Sequence, residues 1–262
     1  MSIPIYQVDA FSEQPFKGNP AAVCFLESPR QDIWMQSVAM EMNLSETAFL
    51  TPEADGFRLR WFTPTVEVDL CGHATLASAH VLWESSYVSS DKPIKFFTRS
   101  GILSAEKKEG WIYLDFPTSK IEAVDEQEAL SDALGIRVIK TVKTDFDLLA
   151  EIEGTDRLAS LKPDMIKLSS FPTRGIIVTS RSNGQPFDFV SRFFAPNAGV
   201  IEDPVTGSAH CALAPYWSNL LGKDHFMAFQ SSARGGDLKV ELHGSRVYIG
   251  GQAVTVFQGQ LD

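Results

Sequence analysis

Trp61-Phe62-Thr63-Pro64, a short acidic loop and Cys71-Gly72-His73-Ala74-Thr75 are answered later in the chain by Phe193-Phe194-Ala195-Pro196, a second acidic loop and Thr206-Gly207-Ser208-Ala209-His210. Each copy is an aromatic strand end, a proline, acidic residues and a glycine that opens an apolar helical run. A chain that builds the same strand–loop–helix twice is expected to have two related halves. Two glycine-led helix starts facing each other would form one polar cleft between them. Helix N-termini present unpaired N–H groups and a positive dipole end, which favour an anion such as a carboxylate.

The flanking patterns extend this reading. Tyr6 to Phe11 and Ala21 to Leu26 alternate, and Pro15-Phe16-Lys17-Gly18-Asn19-Pro20 between them is turn-rich, which predicts a hairpin with a wide loop. Trp34, Val38 and Met42 fall four apart and predict a helix over 31–42. Strands are expected over 47–51, 57–62, 95–98, 103–107 and 112–116. The run 72–83 is apolar nearly all round, as a helix buried on most sides would be. The run 207–221 is similar, although Pro215 should kink or break it unless tolerated, and Gly222 ends it well. Residues 118–128 are polar and mixed and read as a crossing between halves. Strands follow at 138–144, 148–152, 176–179 and 187–194, then near Phe226, Val240, Val247 and Val254. The expected fold is α+β. It has an N-terminal half over 1–117, joined by a last strand near 251–262, and a C-terminal half over 118–262.

Composition limits the function. The 262 residues carry a net charge of −10 with 44% hydrophobic content, ordinary for a globular protein. That charge opposes nucleic acid or an anionic membrane as partner. The N-terminus has no basic and apolar leader and no run suits a membrane span, so a cytoplasmic protein is expected. Cys24, Cys71 and Cys211 form no CxxC, so neither a disulfide framework nor a zinc site is indicated. His73 and His80 read as two unrelated histidines of one helix, without a carboxylate at ligand spacing. No Walker-type loop or dinucleotide glycine pattern occurs, and no cofactor is expected.

Asn43-Leu44-Ser45-Glu46-Thr47-Ala48-Phe49, Cys71-Gly72-His73-Ala74-Thr75 and Glu202-Asp203-Pro204-Val205-Thr206-Gly207-Ser208-Ala209 together resemble the PhzF-like, phenazine-biosynthesis-type isomerases. Val8-Asp9-Ala10-Phe11 and Gly18-Asn19-Pro20-Ala21-Ala22-Val23 resemble the same family, so the likeness spans essentially the whole chain. It implies the diaminopimelate-epimerase-like fold: two pseudo-symmetric halves, each a curved mixed sheet around a central helix, with the substrate in the cleft. It also implies a homodimer and a small carboxylate-bearing substrate.

By the same resemblance Glu46 takes a proton from one substrate carbon and returns it to another. A carboxylate suits that task in a dry cleft, where desolvation raises its pKa; without the family, Glu46 would read as a surface glutamate near a helix cap. His73 and Asp203 match residues that contact polar groups of the substrate. Gly72, Ala74, Thr206, Gly207 and Ser208 match the two helix starts that hold it. Asn19 is carried over too, although turn chemistry accounts for it about as well.

One departure separates cousins on this fold. Two-base racemases place a thiol at the start of each central helix, whereas here Cys71 is answered by Thr206, which offers no comparable base. Cys211 comes about one turn too late. One-base proton shuttling remains, with Cys71 as a small buried hydrophobe. The rivals are an amino-acid racemase or epimerase, and a binding protein that kept the fold and lost turnover.

Overall fold

The computed structural model describes residues 2–182, 184 and 186–262. It is mixed α+β, with many strands and few helices, and the chain divides into two compact units, 1–116 with 249–262 and 117–248.

The first unit opens with strands β1 (Ile3–Ala10) and β2 (Asn19–Phe25), which pair antiparallel from Ile5↔Cys24 to Ala10↔Asn19. The wide loop between them closes on Gly18, at φ 65, where an added Cβ would stand 2.1 Å from the Ala10 carbonyl oxygen. Only glycine fits there. Helix α1 (Asp32–Met42) crosses to β3 (Glu46–Glu53), which lies parallel to β2 with Ala21 opposite Glu46. Met35 and Ala39 of α1 pack with Ile5, Ala22, Phe49 and Phe62 in one core.

Strand β4 (Gly56–Phe62) runs antiparallel to β3, and the two-residue β5 (Glu67–Val68) folds back on its end. Helix α2 (Gly72–Glu84) follows, with almost every residue from His73 to Trp83 buried, and packs on β1, β2 and β3. Strands β6 (Ile94–Thr98), β7 (Gly101–Lys108) and β8 (Trp111–Pro117) form a meander after it.

The second unit adds β9 (Ile121–Ala123), α3 (Gln127–Leu134), β10 (Val138–Thr144) and β11 (Leu148–Ile152). The stretch expected as a polar crossing thus holds a short strand and the start of a helix. Two one-turn helices, α4 (Thr155–Ala159) and α5 (Met165–Ser169), lead to β12 (Ile176–Arg181), parallel to β11. Leu130, Leu134, Leu158 and Leu168 from these helices cover Ala150, Ile176 and Phe194 of the strands. Strands β13 (Phe189–Ala195) and β14 (Val200–Asp203) precede helix α6 (Gly207–Leu221). Strands β15 (His225–Gln230), β16 (Gly236–His243) and β17 (Arg246–Gly251) follow, and β18 (Ala253–Leu261) pairs with β1 in the first unit.

Pro215 does not break α6. A proline has no N–H to give the carbonyl four residues back, so Cys211 would be left without its helical donor. Ser119 N–H fills that vacancy, donating to the Cys211 carbonyl at 3.1 Å. The helix ends at Gly222, φ 66, whose N–H returns to Ser218 O.

The approach to each long helix is braced alike. Arg60 grips Glu67 through Nε and Nη2 at 2.7 and 2.6 Å, and its guanidinium lies 5.1 Å from the Phe62 ring. Arg192 grips Glu202 at 2.7 and 2.8 Å and lies 4.9 Å from Phe194. In both copies the arginine stands two residues before the phenylalanine and the glutamate four before the residue that caps the helix. A bidentate, half-buried pair of this kind fixes a loop by geometry as well as charge.

Candidate active site

In the first unit three segments deliver side chains to one place. Asn43 ends α1 in the left-handed region, φ 50, a conformation that asparagine tolerates better than most residues. The chain then turns into β3, whose first residue is Glu46. Asn19 is the first residue of the neighbouring β2, so the two stand near the same ends of parallel strands. Cys71 caps α2 with extended φ −146, ψ 113, and its side chain makes no capping hydrogen bond. His73 lies in the first turn, beside Gly72 and the fully buried Ala74.

The four side chains meet at the His73 ring. The Asn19 amide nitrogen is 3.1 Å from Nδ1, and the Cys71 thiol is 3.6 Å from the same atom. On the opposite edge, Nε2 is 3.1 Å from Glu46 Oε2. The ring N–H is not aimed along that line. Glu46 Oε2 and His73 Nε2 are therefore both buried with no aligned hydrogen bond among the described residues. Buried polar atoms are nearly always satisfied. Two unsatisfied ones side by side, one acidic and one basic, mark a place for a third polar group.

The electrostatics agree. Burial alone would lower the His73 pKa, but the acidic groups beside it, Cys71 and Glu46, outweigh that and raise it well above 6.5. Cys71 is itself pushed up to about 11, chiefly by burial and then by the Glu46 charge. It is a neutral thiol near pH 7, so the Glu46 carboxylate is what holds positive charge on the ring. Cys71 is buried as expected, but it is more than filler, because its sulfur faces a titrating ring.

Glu46, Cys71 and His73 also bring three donor types within 4.8 Å of one another. The thiol faces Nδ1 and the carboxylate faces Nε2, opposite edges of one ring. The set suits hydrogen bonding. The expectation that no carboxylate accompanies His73 or His80 is corrected twice, since His80 lies 3.3 Å from Glu84, one turn along α2.

The second unit builds a different helix start. Thr206 caps α6 with extended φ −111, ψ 98 and, like Cys71, gives no side-chain bond to its helix. Its hydroxyl instead donates to Asp203 Oδ2 at 2.6 Å. The fully buried Gln230 organises the turn: Oε1 accepts from Thr206 N–H at 2.8 Å, and Nε2 donates to Asp203 O at 2.8 Å and to Thr206 Oγ1 at 3.1 Å. Gln230 was not singled out in the sequence. Nothing near it signals the role, which the parallel pairing Ser191↔Gln230 confers. Ser208, one residue after Gly207, accepts from Arg174 Nη2 at 3.0 Å, and Arg174 is clamped by the buried Asp147.

His210 lies one turn into α6. Its Nδ1 is 2.9 Å from Thr206 O, so it donates there, and burial lowers its pKa to about 4. Cys211 turns its thiol to Gly207 O and is pushed by burial to about 12. The structure thus gathers Asn19, Glu46 and His73 with Cys71 in one unit, and Asp203 and Thr206 with Gln230 in the other. Among the described residues, no helix is long and apolar enough to cross a membrane.

Comparison with known proteins places these features in a family. Residues 8–259 match the family described as phenazine biosynthesis-like protein, PhzC-PhzF. An isomerase of Halalkalibacterium halodurans, named as uncharacterised, is 57% identical over 263 residues, covering 100% of this chain and 99% of the relative. A crystal structure of a PhzF-family phenazine biosynthesis protein from Enterococcus faecalis superposes with a TM-score of 0.95 at 43% identity, covering 100% of both chains. A hydroxyproline epimerase from Agrobacterium vitis shares the fold alone, with a TM-score of 0.64 at 10% identity over 99% of this chain and 92% of that one. The chain belongs to the PhzC-PhzF family of phenazine biosynthesis-like proteins.

Proposed function

We propose that this isomerase-type enzyme moves a proton within a small carboxylate-bearing substrate, with Glu46 as the single proton carrier. The observation that carries the reading is the pair of buried, unsatisfied atoms Glu46 Oε2 and His73 Nε2, 3.1 Å apart. A substrate carbon acid set against this pair would meet a base at Glu46 and a hydrogen-bond donor at His73. Glu46 takes the proton from carbon, His73 steadies the negative charge that develops on a neighbouring substrate oxygen, and Glu46 returns the proton to a different carbon. A positioned acid/base of this kind contributes roughly 10²–10⁴-fold in rate.

The first turn of α2, at Gly72 and Ala74, offers backbone N–H groups that no capping side chain of its own occupies, which suits the substrate carboxylate. On the family likeness we also assign substrate binding to Asp203, Thr206, Gly207 and Ser208, and pseudo-symmetric halves to the two units. Two-base stereoinversion is disfavoured because α6 is capped by a threonine and the Cys211 thiol stays protonated to about 12.

The test is a thermal-shift screen of small carboxylates, cyclic amino acids among them, followed by proton NMR of the hits in deuterated solvent. The reading expects a hit that gains deuterium and returns as a positional isomer. Inversion at the original carbon would favour a racemase, and hits that bind without exchange would refute turnover.

A further inference from the structure

The His73 ring has two nitrogens and the proposed reaction uses one. The other, Nδ1, faces the Asn19 amide at 3.1 Å and the Cys71 thiol at 3.6 Å, so it is approached by one strong donor and one weak one. Asn19 is fully buried at the start of β2, where the antiparallel pairing Ala10↔Asn19 fixes its backbone. Turn chemistry explains an asparagine before Pro20, but it does not explain why the side chain is aimed 54 residues along the chain at an imidazole.

We propose that Asn19 is a positioning residue that holds the lone pair of His73 on Nδ1 and so keeps the ring proton on Nε2, facing Glu46. The inference rests on the Glu46–His73 reading and adds to it the residue that sets the ring's tautomer. A neutral imidazole carries one proton, and the hydrogen bond at one nitrogen decides which nitrogen bears it. With the Asn19 N–H groups on Nδ1, that nitrogen must accept, and Nε2–H is left for the substrate. The opposite tautomer would turn a lone pair toward the Glu46 carboxylate, which repels it and removes the donor. When the ring is cationic Nε2 is protonated as well, and Nδ1–H then needs the Asn19 amide to turn its oxygen, not its N–H, toward the ring. The donor beside Glu46 therefore survives both charge states, and the proton gained or lost in titration is the one on Nδ1. The Cys71 thiol, longer and weaker, cannot impose this choice by itself.

The test is nitrogen-15 NMR of the histidine rings in the full-length protein without ligand, followed from pH 6 upward until His73 is neutral, with His73→Gln assigning its signals. The wild type is expected to give the Nε2–H tautomer once neutral, and Cys71→Ser to give the same. Asn19→Ala, checked for folding by circular dichroism, should give a mixture, and Asn19→Asp should move the proton to Nδ1, where a carboxylate accepts it. A wild-type ring that is Nδ1–H when neutral overturns the proposal, and that result does not depend on any variant folding. An Asn19→Ala ring that keeps a single Nε2–H tautomer also overturns it. Neither result touches the Glu46 assignment, which is read from turnover, so the two claims fail separately.

Discussion

The starts of α2 and α6 are built from the same sequence pattern and do opposite things with a histidine. At α2 the ring of His73 lies between an amide, a thiol and a carboxylate, and its pKa is raised well above 6.5. At α6 the ring of His210 donates to the Thr206 carbonyl, and burial takes its pKa down to about 4. Burial acts on both. The difference is the half-buried Glu46 carboxylate beside His73, which has no counterpart acting on His210 among the described residues. The same contrast holds for the polar atoms around each start. Glu46 Oε2 and His73 Nε2 are left without aligned partners, whereas Thr206 is bonded through both its N–H and its hydroxyl. At α2 the unsatisfied atoms are an acid and a base side by side, whereas at α6 the unsatisfied His210 Nε2 has no such neighbour among the unsatisfied atoms of the described residues. That asymmetry is what the proposed one-base reaction would require.

The largest effect should come from removing the charge at α2. Glu46→Gln keeps size and polarity but cannot carry a proton, so kcat should fall roughly 10²–10⁴-fold with the fold intact. Measurable turnover near the wild-type value would break the comparison at once. At α6 the largest effect should be on stability. Gln230→Ala strips three hydrogen bonds and leaves the buried Thr206 N–H without its acceptor, for a cost of about 2–4 kcal/mol. Chemical denaturation would check this, and a loss within experimental scatter would show that the α6 start is held by something else.

The two histidines also predict a pH signature. His210 has a folded pKa depressed from 6.5 to about 4. Between those values the unfolded chain binds a proton that the folded one does not, so stability falls as pH drops through that window. The span corresponds to on the order of 3 kcal/mol. His210→Asn, which keeps a donor for Thr206 O, should flatten that limb in denaturation curves taken at pH 7 and pH 4. An unchanged limb would place the acid sensitivity elsewhere. The smallest effect is assigned to Cys71→Ser. A hydroxyl near Nδ1 replaces a weak thiol contact, and a rate within about tenfold of wild type is expected because no proton of the one-base cycle passes through it.

Much of this was legible in the sequence, for reasons that can be located. The alternation of Phe57, Leu59 and Trp61 with Arg58 and Arg60 announced a strand, and the uncharged run after Gly72 announced a buried helix. Helices α3, α4 and α5 were missed. The first buries only Leu130, Ala133 and Leu134, and the others are five residues long, too short for a 3.6-residue period to show. Pro215 looked like a break because the Ser119 donor comes from a distant segment. At the site, Glu46 and His73 were readable from their motifs. The Cys71–His73 contact was not, since residues two apart on a helix do not face each other. Cys71 lies just outside the helix in an extended conformation, which turns its thiol back toward the ring. Gln230 acts across the parallel β13–β15 register, and no local pattern records that.

In the proposed reaction the proton moves on Glu46 and on no thiol. This is tested most directly by comparing Glu46→Gln and Cys71→Ser in deuterated solvent with the same substrate, following deuterium entry into its C–H positions by NMR. No exchange above background is expected for Glu46→Gln, and exchange close to wild type for Cys71→Ser. Exchange that persists in Glu46→Gln and vanishes in Cys71→Ser would contradict it and assign the chemistry to the thiol.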